Sequence, residues 1–291
     1  MTAPKRNPKG APKGTARRQP PRGGPRPAAR GEGQRRVVRR DDDLGGDQVE
    51  GRRAVLELLT AGRRRARRVV IAEALEDAEM LDAIEQAARS KRIPVQFVSR
   101  ARLDREARTE GNQGVYALCD PIPTRDLDAL VETSGPAAFL LVCDGVTDPR
   151  NLGAMLRSAE CAGVSGVVLP RHRAARLTPA VTKTASGAIE HLEFAAVGGI
   201  PTALRRLGEL GVVTVGLAPE AKRTIYDLEL GAAAVALVVG GEERGLARLT
   251  RERCEELVSI PQHGAIASLN AGIAGAVACF EVARQRAAAR R

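Results

Sequence analysis

Phe139-Leu-Leu-Val-Cys-Asp-Gly-Val-Thr-Asp-Pro-Arg-Asn151-Leu-Gly-Ala-Met-Leu-Arg157-Ser-Ala159 changes its period half-way along, and that change decides the fold. Residues 139–143 are an unbroken apolar run, the pattern of a strand covered on both faces. From about Asn151 to Ala162, Leu152, Met155, Leu156 and Ala159 recur at helical spacing. That stripe is buried and turns Arg157 away from it, with small Gly153 and Ala154 one turn below, leaving space beside the guanidinium. The alternation continues towards the C-terminus. Strands are predicted at Val167–Leu169, Leu192–Val197, Val212–Leu217, Ala234–Val239 and Leu257–Ile260. Helices are predicted at Thr178–Ala185, 200–210, about 246–255 and Ser268–Arg286. Apolar strands between helices imply an α/β fold with a mostly parallel sheet over residues 137–291.

Working back from Phe139, residues 121–136 hold Pro121, Pro123, Gly135 and Pro136 and read as a linker. Residues 47–120 read as a smaller α/β unit. Its predicted elements are a helix at Val49–Leu59, a strand at Val69–Ile71, a helix at 75–90 and strands at Val95–Val98 and Gly114–Cys119. Arg52, Arg53, Arg63, Arg64, Arg65, Arg67 and Arg68 cluster there, and Arg52, Arg53, Arg67 and Arg68 are the candidate RNA contacts. Residues 1–46 read as a tail. The first 40 residues carry 13 Lys or Arg against Glu32, with 7 Pro and 6 Gly, so the chain's net +11 sits entirely in the tail. Such a stretch buries too little to offset its ordering entropy, and disorder is the expectation.

Several classes are excluded. No window approaches 18 uninterrupted apolar residues, and the basic N-terminus has no apolar core of a secretory signal. A cytoplasmic protein without a membrane partner is expected. Five cysteines contain no CxxC pair and read as reduced, mostly core residues; His172, His191 and His263 have no ligand spacing, so no metal is expected. There is no GxxxxGK[ST] loop, GxSxG elbow or HExxH helix. Aromatic residues make up only 2% of the chain, which disfavours a base-stacking single-strand binder.

Three segments lie at predicted strand–helix junctions: Asn151–Ala159, Gly240-Gly-Glu-Glu-Arg-Gly-Leu246, and Ser259-Ile-Pro261 running to Ser268-Leu-Asn270. Singly, each has a plain reading: a capped helix with a solvent-facing arginine, a tight glycine turn, and a Ser/Asn cap. Together, and in this order, they resemble the SpoU (TrmH-type) family of S-adenosylmethionine-dependent RNA ribose 2′-O-methyltransferases, of the SPOUT class. The likeness runs on through Leu169-Pro-Arg-His-Arg173, Ser186-Gly-Ala188 and Thr224-Ile-Tyr226. Residues from Glu50-Gly51 to Asn112-Gln-Gly114 resemble the L30e-like substrate-binding domain of the 23S rRNA guanosine 2′-O-methyltransferases.

The resemblance implies a SPOUT sheet with a deep trefoil knot, working as a homodimer with composite sites. It places catalytic roles on Arg157, Asn151, Glu242, Ser268 and Asn270, and backbone contacts to S-adenosylmethionine on Leu217, Gly240, Ile260 and Leu269. Ser268, Asn270 and Asn151 would align the ribose, Glu242 would hold the loop or the arginine, and Arg157 would stabilise charge on the attacking oxygen. Glu243 stands where the family usually has glycine, and Asn112 where histidine is common. The implied activity is methylation of a ribose in 23S rRNA. The alternatives are a tRNA or antibiotic-resistance rRNA methyltransferase of the same fold, or a non-catalytic ribosome-assembly protein.

Overall fold

The computed structural model describes residues 44–73, 78–172, 174–231, 233–266 and 268–290. The tail up to residue 43, residues 75–77 of the predicted helix 75–90, and Arg173 lie outside them. Leu44–Gly46 belong to the fold and not to a tail. Leu44 is buried, Gly45 bridges to Leu177, and the Gly45 carbonyl accepts from Ile122 N at 2.9 Å.

A four-stranded sheet comes first: β1 (Gln48–Glu50), β2 (Ala66–Ala72), β3 (Val95–Val98) and β4 (Val115–Cys119), in the order β1-β4-β2-β3. β4 runs antiparallel to both its neighbours, and β2 and β3 are parallel. The predicted helix at Val49 starts late. Gln48–Glu50 pair with Tyr116–Leu118, Gly51 turns the chain at φ 92, and α1 covers Arg52–Ala61. Its Ala54, Val55, Leu58 and Leu59 pack on Val69, Ile71 and on Ile84 of α2 (Ala78–Ser90). α3 (Arg100–Glu106) escapes sequence reading because Leu103 is its one buried side chain. One buried residue in seven carries no period.

The second sheet has six strands: β5 (Phe139–Asp144), β6 (Gly166–Pro170), β7 (Glu193–Val197), β8 (Val213–Leu217), β9 (Val235–Gly240) and β10 (Glu256–Val258). Their order is β10-β8-β9-β5-β6-β7, and every pairing is parallel. Along β5, Leu141 and Cys143 face α5 (Pro149–Cys161) and α9 (Ala271–Ala289), while Leu140 and Val142 face α7 (Ile200–Glu209). That two-sided cover is why the strand is apolar throughout. Residues 121–136 are more than a linker. They include α4 (Leu127–Ser134), whose Leu130 is fully buried on the α7 side of the sheet. α6 (Pro179–Thr184) and α8 (Arg248–Arg253) are single short turns.

The two sheets meet along a polar seam. Arg64 is buried; its Nε and Nη2 donate to the Glu190 carboxylate at 2.9 and 2.5 Å, and Nη1 donates to the carbonyls of Gly46 and Asp120. Arg63 pairs with Glu193 and donates to the Leu192 carbonyl at 3.1 Å. His191 meets Glu57 at 3.0 Å, and Lys183 Nζ donates to the Glu110 carbonyl at 2.8 Å. Two arginines of the predicted basic cluster therefore tie the halves together and do not face a partner.

Candidate active site

The C-terminal ends of β8, β9 and β10 surround a cavity of about 370 Å³ with the start of α9. Parallel strands all leave the sheet at one edge, where crevices form between the outgoing loops. Its walls are Leu217 and Ala218, the turn Gly240–Leu246, Val258 and Ile260, and Ser268 and Leu269. Leu217, Gly240, Ile260 and Leu269 thus share one cavity, although 52 residues of sequence separate the first from the last.

The turn after β9 is packed backbone on backbone. A Cβ on Gly240 would stand 2.1 Å from the carbonyl carbon of Gly245 and 2.3 Å from Leu246 N. Asp144, at the end of β5, accepts from Ala247 N at 2.8 Å and holds the far side of the turn. Sequence reading missed this role, although an acid ending an apolar strand was a visible signal. Glu243 is exposed at the cavity's edge, so its side chain is accommodated in solvent.

A hydrogen-bond chain joins the three motifs. The amides of Gly272 and Ile273, in the first turn of α9, donate to Asn270 Oδ1 at 2.9 and 3.2 Å. Asn270 Nδ2 donates to Asn151 Oδ1 at 2.9 Å, and Asn151 Nδ2 donates to Glu242 Oε1 at 2.8 Å. The ends dictate the direction: helix N–H groups only donate and a carboxylate only accepts, so both amides have one possible orientation. Burial works to raise the Glu242 pKa. The Asn151 amide and the backbone N–H groups of Glu242, Thr147 and Asp148 outweigh it and hold the carboxyl below its usual range. Asn151 is not the helix cap. Asp148 caps α5 by accepting from Arg150 N at 2.8 Å, which releases Asn151 to reach across. Asn270 does cap α9, and its remaining donors extend the chain.

Arg157 stands apart from this group. Six residues beyond Asn151 on α5 place it about 9 Å along the axis and well round the helix. Its Nη1 donates to Ser186 Oγ at 3.2 Å, and it does not line the cavity of its own chain. The space expected beside it at Gly153 is filled: a Cβ there would meet Thr184 at 2.6 Å, so the glycine admits α6.

The predicted RNA contacts divide between faces. Arg52 and Arg53 start α1, Arg67 pairs with Asp120, and Arg68 is exposed on β2. Asn112 is buried. Its amide donates to Asp104 at 2.8 Å and its carbonyl accepts from Gly114 N at 2.9 Å, which makes it a turn former. Among the described residues no three His, Cys, Asp or Glu side chains come together to hold a metal. Cys119, Cys143 and Cys279 are buried thiols that burial pushes up to about 12, whereas Cys161, also read as core, is exposed. No helix among the described residues is long and apolar enough to cross a membrane.

A parallel α/β sheet with a cavity at its carboxyl edge, rimmed by a glycine turn and an Asn–Asn–Glu chain, defines the class. The chain belongs to the SpoU rRNA Methylase family, whose model matches residues 138–280; a model for RNA 2′-O ribose methyltransferase substrate binding matches residues 48–125. It is 41% identical over 241 residues to the 23S rRNA (guanosine-2′-O-)-methyltransferase RlmB of Xylella fastidiosa, covering 82% of this chain and 96% of that one. The enzyme of the same name from Escherichia coli K12 is 39% identical over 243 residues, 82% and 99% of the two chains. In structure the chain resembles the SpoU methyltransferase AviRb of Streptomyces viridochromogenes, with TM-score 0.70, 24% identity, and 83% and 90% of the chains covered. AviRb has also been solved in complex with the cofactor AdoMet.

Proposed function

We propose that this protein transfers a methyl group from S-adenosylmethionine to the 2′-oxygen of a guanosine ribose in 23S rRNA. The observation that carries this reading is the chain from α9 through Asn270 and Asn151 to Glu242, on the rim of the cavity. The substrate is the one named for the RlmB relatives, which this chain matches over more than nine-tenths of their length. The cavity suits the cofactor. Leu217, Leu246, Val258, Ile260 and Leu269 offer apolar walls to a purine, and the Glu242 carboxylate suits a ligand bearing a cationic group, while Glu220 is paired with Arg251 on the same wall.

When bound, S-adenosylmethionine supplies an electrophilic methyl group; what remains is alignment and charge. Ser268 on the wall and the Asn151–Asn270 pair on the rim hold the ribose, and Glu242 keeps that pair in register. Arg157 retains its proton at any working pH and stabilises negative charge on the 2′-oxygen. The hydroxyl proton leaves to a substrate phosphate or to water. Because Arg157 lies outside its own chain's cavity, this reading needs a second copy to complete the site. The half-exposed Ile273 and Phe280, with Val277 between them on α9, offer the apolar stripe for a homodimer. A fully active monomer in sedimentation at micromolar protein would overturn that. The trefoil knot and a cytoplasmic location belong to the same reading.

The test is calorimetry with S-adenosylmethionine in chelator, followed by mapping of 2′-O-methyl sites in 23S rRNA with and without the protein. One site per chain and one new guanosine methyl mark are expected. Absence of cofactor binding would favour the assembly-protein alternative. Gly240→Ala should abolish cofactor binding in the same titration, since its methyl group forces the turn open. Unchanged affinity would refute the cavity assignment.

The tail is proposed as an electrostatic arm on RNA. Deleting residues 1–43 should weaken RNA binding and flatten the slope of log affinity against log salt, with the methylated nucleotide unchanged. Identical slopes would make the tail a passenger.

A further inference from the structure

A second cavity, of about 430 Å³, opens where the two sheets meet on the Arg157 side of α5. The start of α1, with Arg52 and Arg53, forms one wall together with Arg100 and Gln113; Lys183 and Ser186 come from the other half of the chain. Four cations therefore converge on a space with one acid, Glu50. That carboxylate is engaged elsewhere: it is buried and accepts from Gln48 Nε2 at 2.8 Å, Arg108 N at 2.6 Å, and Thr109 N at 3.0 Å and Oγ1 at 2.5 Å. Asp104 lies outside the lining and pairs with Arg100 at 3.0 Å. Arg52 is engaged as well, its Nε donating to the Gln113 carbonyl at 3.2 Å, so the positive charge offered to the cavity is that of Lys183 and Arg53.

Its geometry is held under strain. Ser186 has φ 51, and Gly187 follows at φ 89, where a Cβ would stand 2.4 Å from both Cβ and Cγ of Glu57. A non-glycine residue in the left-handed region, pressed against a glycine that alone admits α1, fixes Ser186 at the cavity's edge. There its hydroxyl oxygen accepts from Arg157 Nη1 at 3.2 Å and keeps its own proton to donate. Lys183 spends one of its three N–H donors on the Glu110 carbonyl.

We propose that this cavity is a phosphate subsite for the RNA strand. It holds a phosphodiester flanking the methylated nucleotide, with Lys183 and Arg53 contacting the phosphate and Ser186 donating to it. The Ser186–Arg157 bond then sets the arginine relative to that phosphate, so that strand placement and the charge at the 2′-oxygen are fixed together. The proposal rests on the methyltransferase reading above, and it adds Lys183, Ser186 and Arg100 to the RNA-binding surface.

The test uses the full chain and its Lys183→Met, Arg53→Ala and Lys183→Arg variants, with a 23S rRNA fragment as the probe. Cofactor calorimetry and thermal melting serve as controls of folding, and Arg53, exposed on α1, gives a variant that no seam contact complicates. Each of the two charge-removing variants should lower the salt slope of RNA binding by about 0.7, the value of one phosphate contact on a single strand. Each should raise the KM for RNA several-fold, and Lys183→Arg should restore most of both. Wild-type slopes in both variants, or weaker binding with an unchanged slope, would overturn the subsite. A wild-type protein that neither binds S-adenosylmethionine nor methylates the fragment would instead overturn the methyltransferase reading, and the same samples separate the two results.

Discussion

Replacing Arg157 by alanine should slow methyl transfer by about 10²–10³-fold, the usual loss when one preorganised donor to a developing negative charge is removed. Affinity for S-adenosylmethionine should not change, because Arg157 acts on the 2′-oxygen and does not line its own chain's cofactor cavity. The loss should appear in kcat more than in the cofactor KM. Arg157→Lys should lose nearly as much, since an ammonium is a point charge and cannot span an alkoxide and a phosphate as the planar fork does. Single-turnover transfer to a 23S rRNA fragment measures both. A fully active lysine variant at neutral pH would dismiss two-point contact, and a weakened cofactor affinity in the alanine variant would place the arginine in the wrong site.

Glu190→Ala should be the most destabilising single change at the seam. Burial works to lower the Arg64 pKa, and the bond to Glu190, with the nearby charges, more than compensates and leaves it raised. With Glu190 gone, a buried guanidinium keeps two carbonyl partners and loses its counter-charge, a cost of about 3–5 kcal/mol. For a chain of this size that lowers Tm by roughly 10 °C. Replacing both partners, Arg64→Met with Glu190→Leu, should recover most of the loss, because an apolar pair of similar volume leaves no charge to solvate. Urea titrations of the three proteins decide the matter. A single variant within 1 kcal/mol of wild type would show that water reaches the pair.

The second sheet was legible in the sequence almost element by element because its strands are covered on both faces. A strand with no polar face announces itself as an apolar run, and β5, β6 and β9 begin within a residue of their predicted starts. Legibility failed where burial involves few residues or depends on pairing. Val49 has the spacing of the helix that follows it, and only the hydrogen bonds of Gln48–Glu50 to β4 make it a strand. α4 hides among prolines because Leu130 is its one buried residue, with Leu127 and Val131 only partly covered. The arginine cluster at 52–68 reads as uniform in sequence. In the fold, one member is buried against Glu190, another pairs with Glu193, and others line a cavity.

What the sequence by itself determined is the set of groups and their order along the chain. Strand periods define the parallel sheet, and the three motifs name Asn151, Arg157, Glu242, Ser268 and Asn270 as candidates, because those properties are local in the chain. Only the tertiary structure decided which of them come together. Asn151 meets Glu242 across 91 residues and Asn270 across 119, and Arg157, six residues from Asn151, bonds instead to Ser186 at the edge of a different cavity. The reason is geometric: parallel strands deliver distant loops to one edge of the sheet, while a helix of 3.6 residues per turn carries near neighbours to opposite sides.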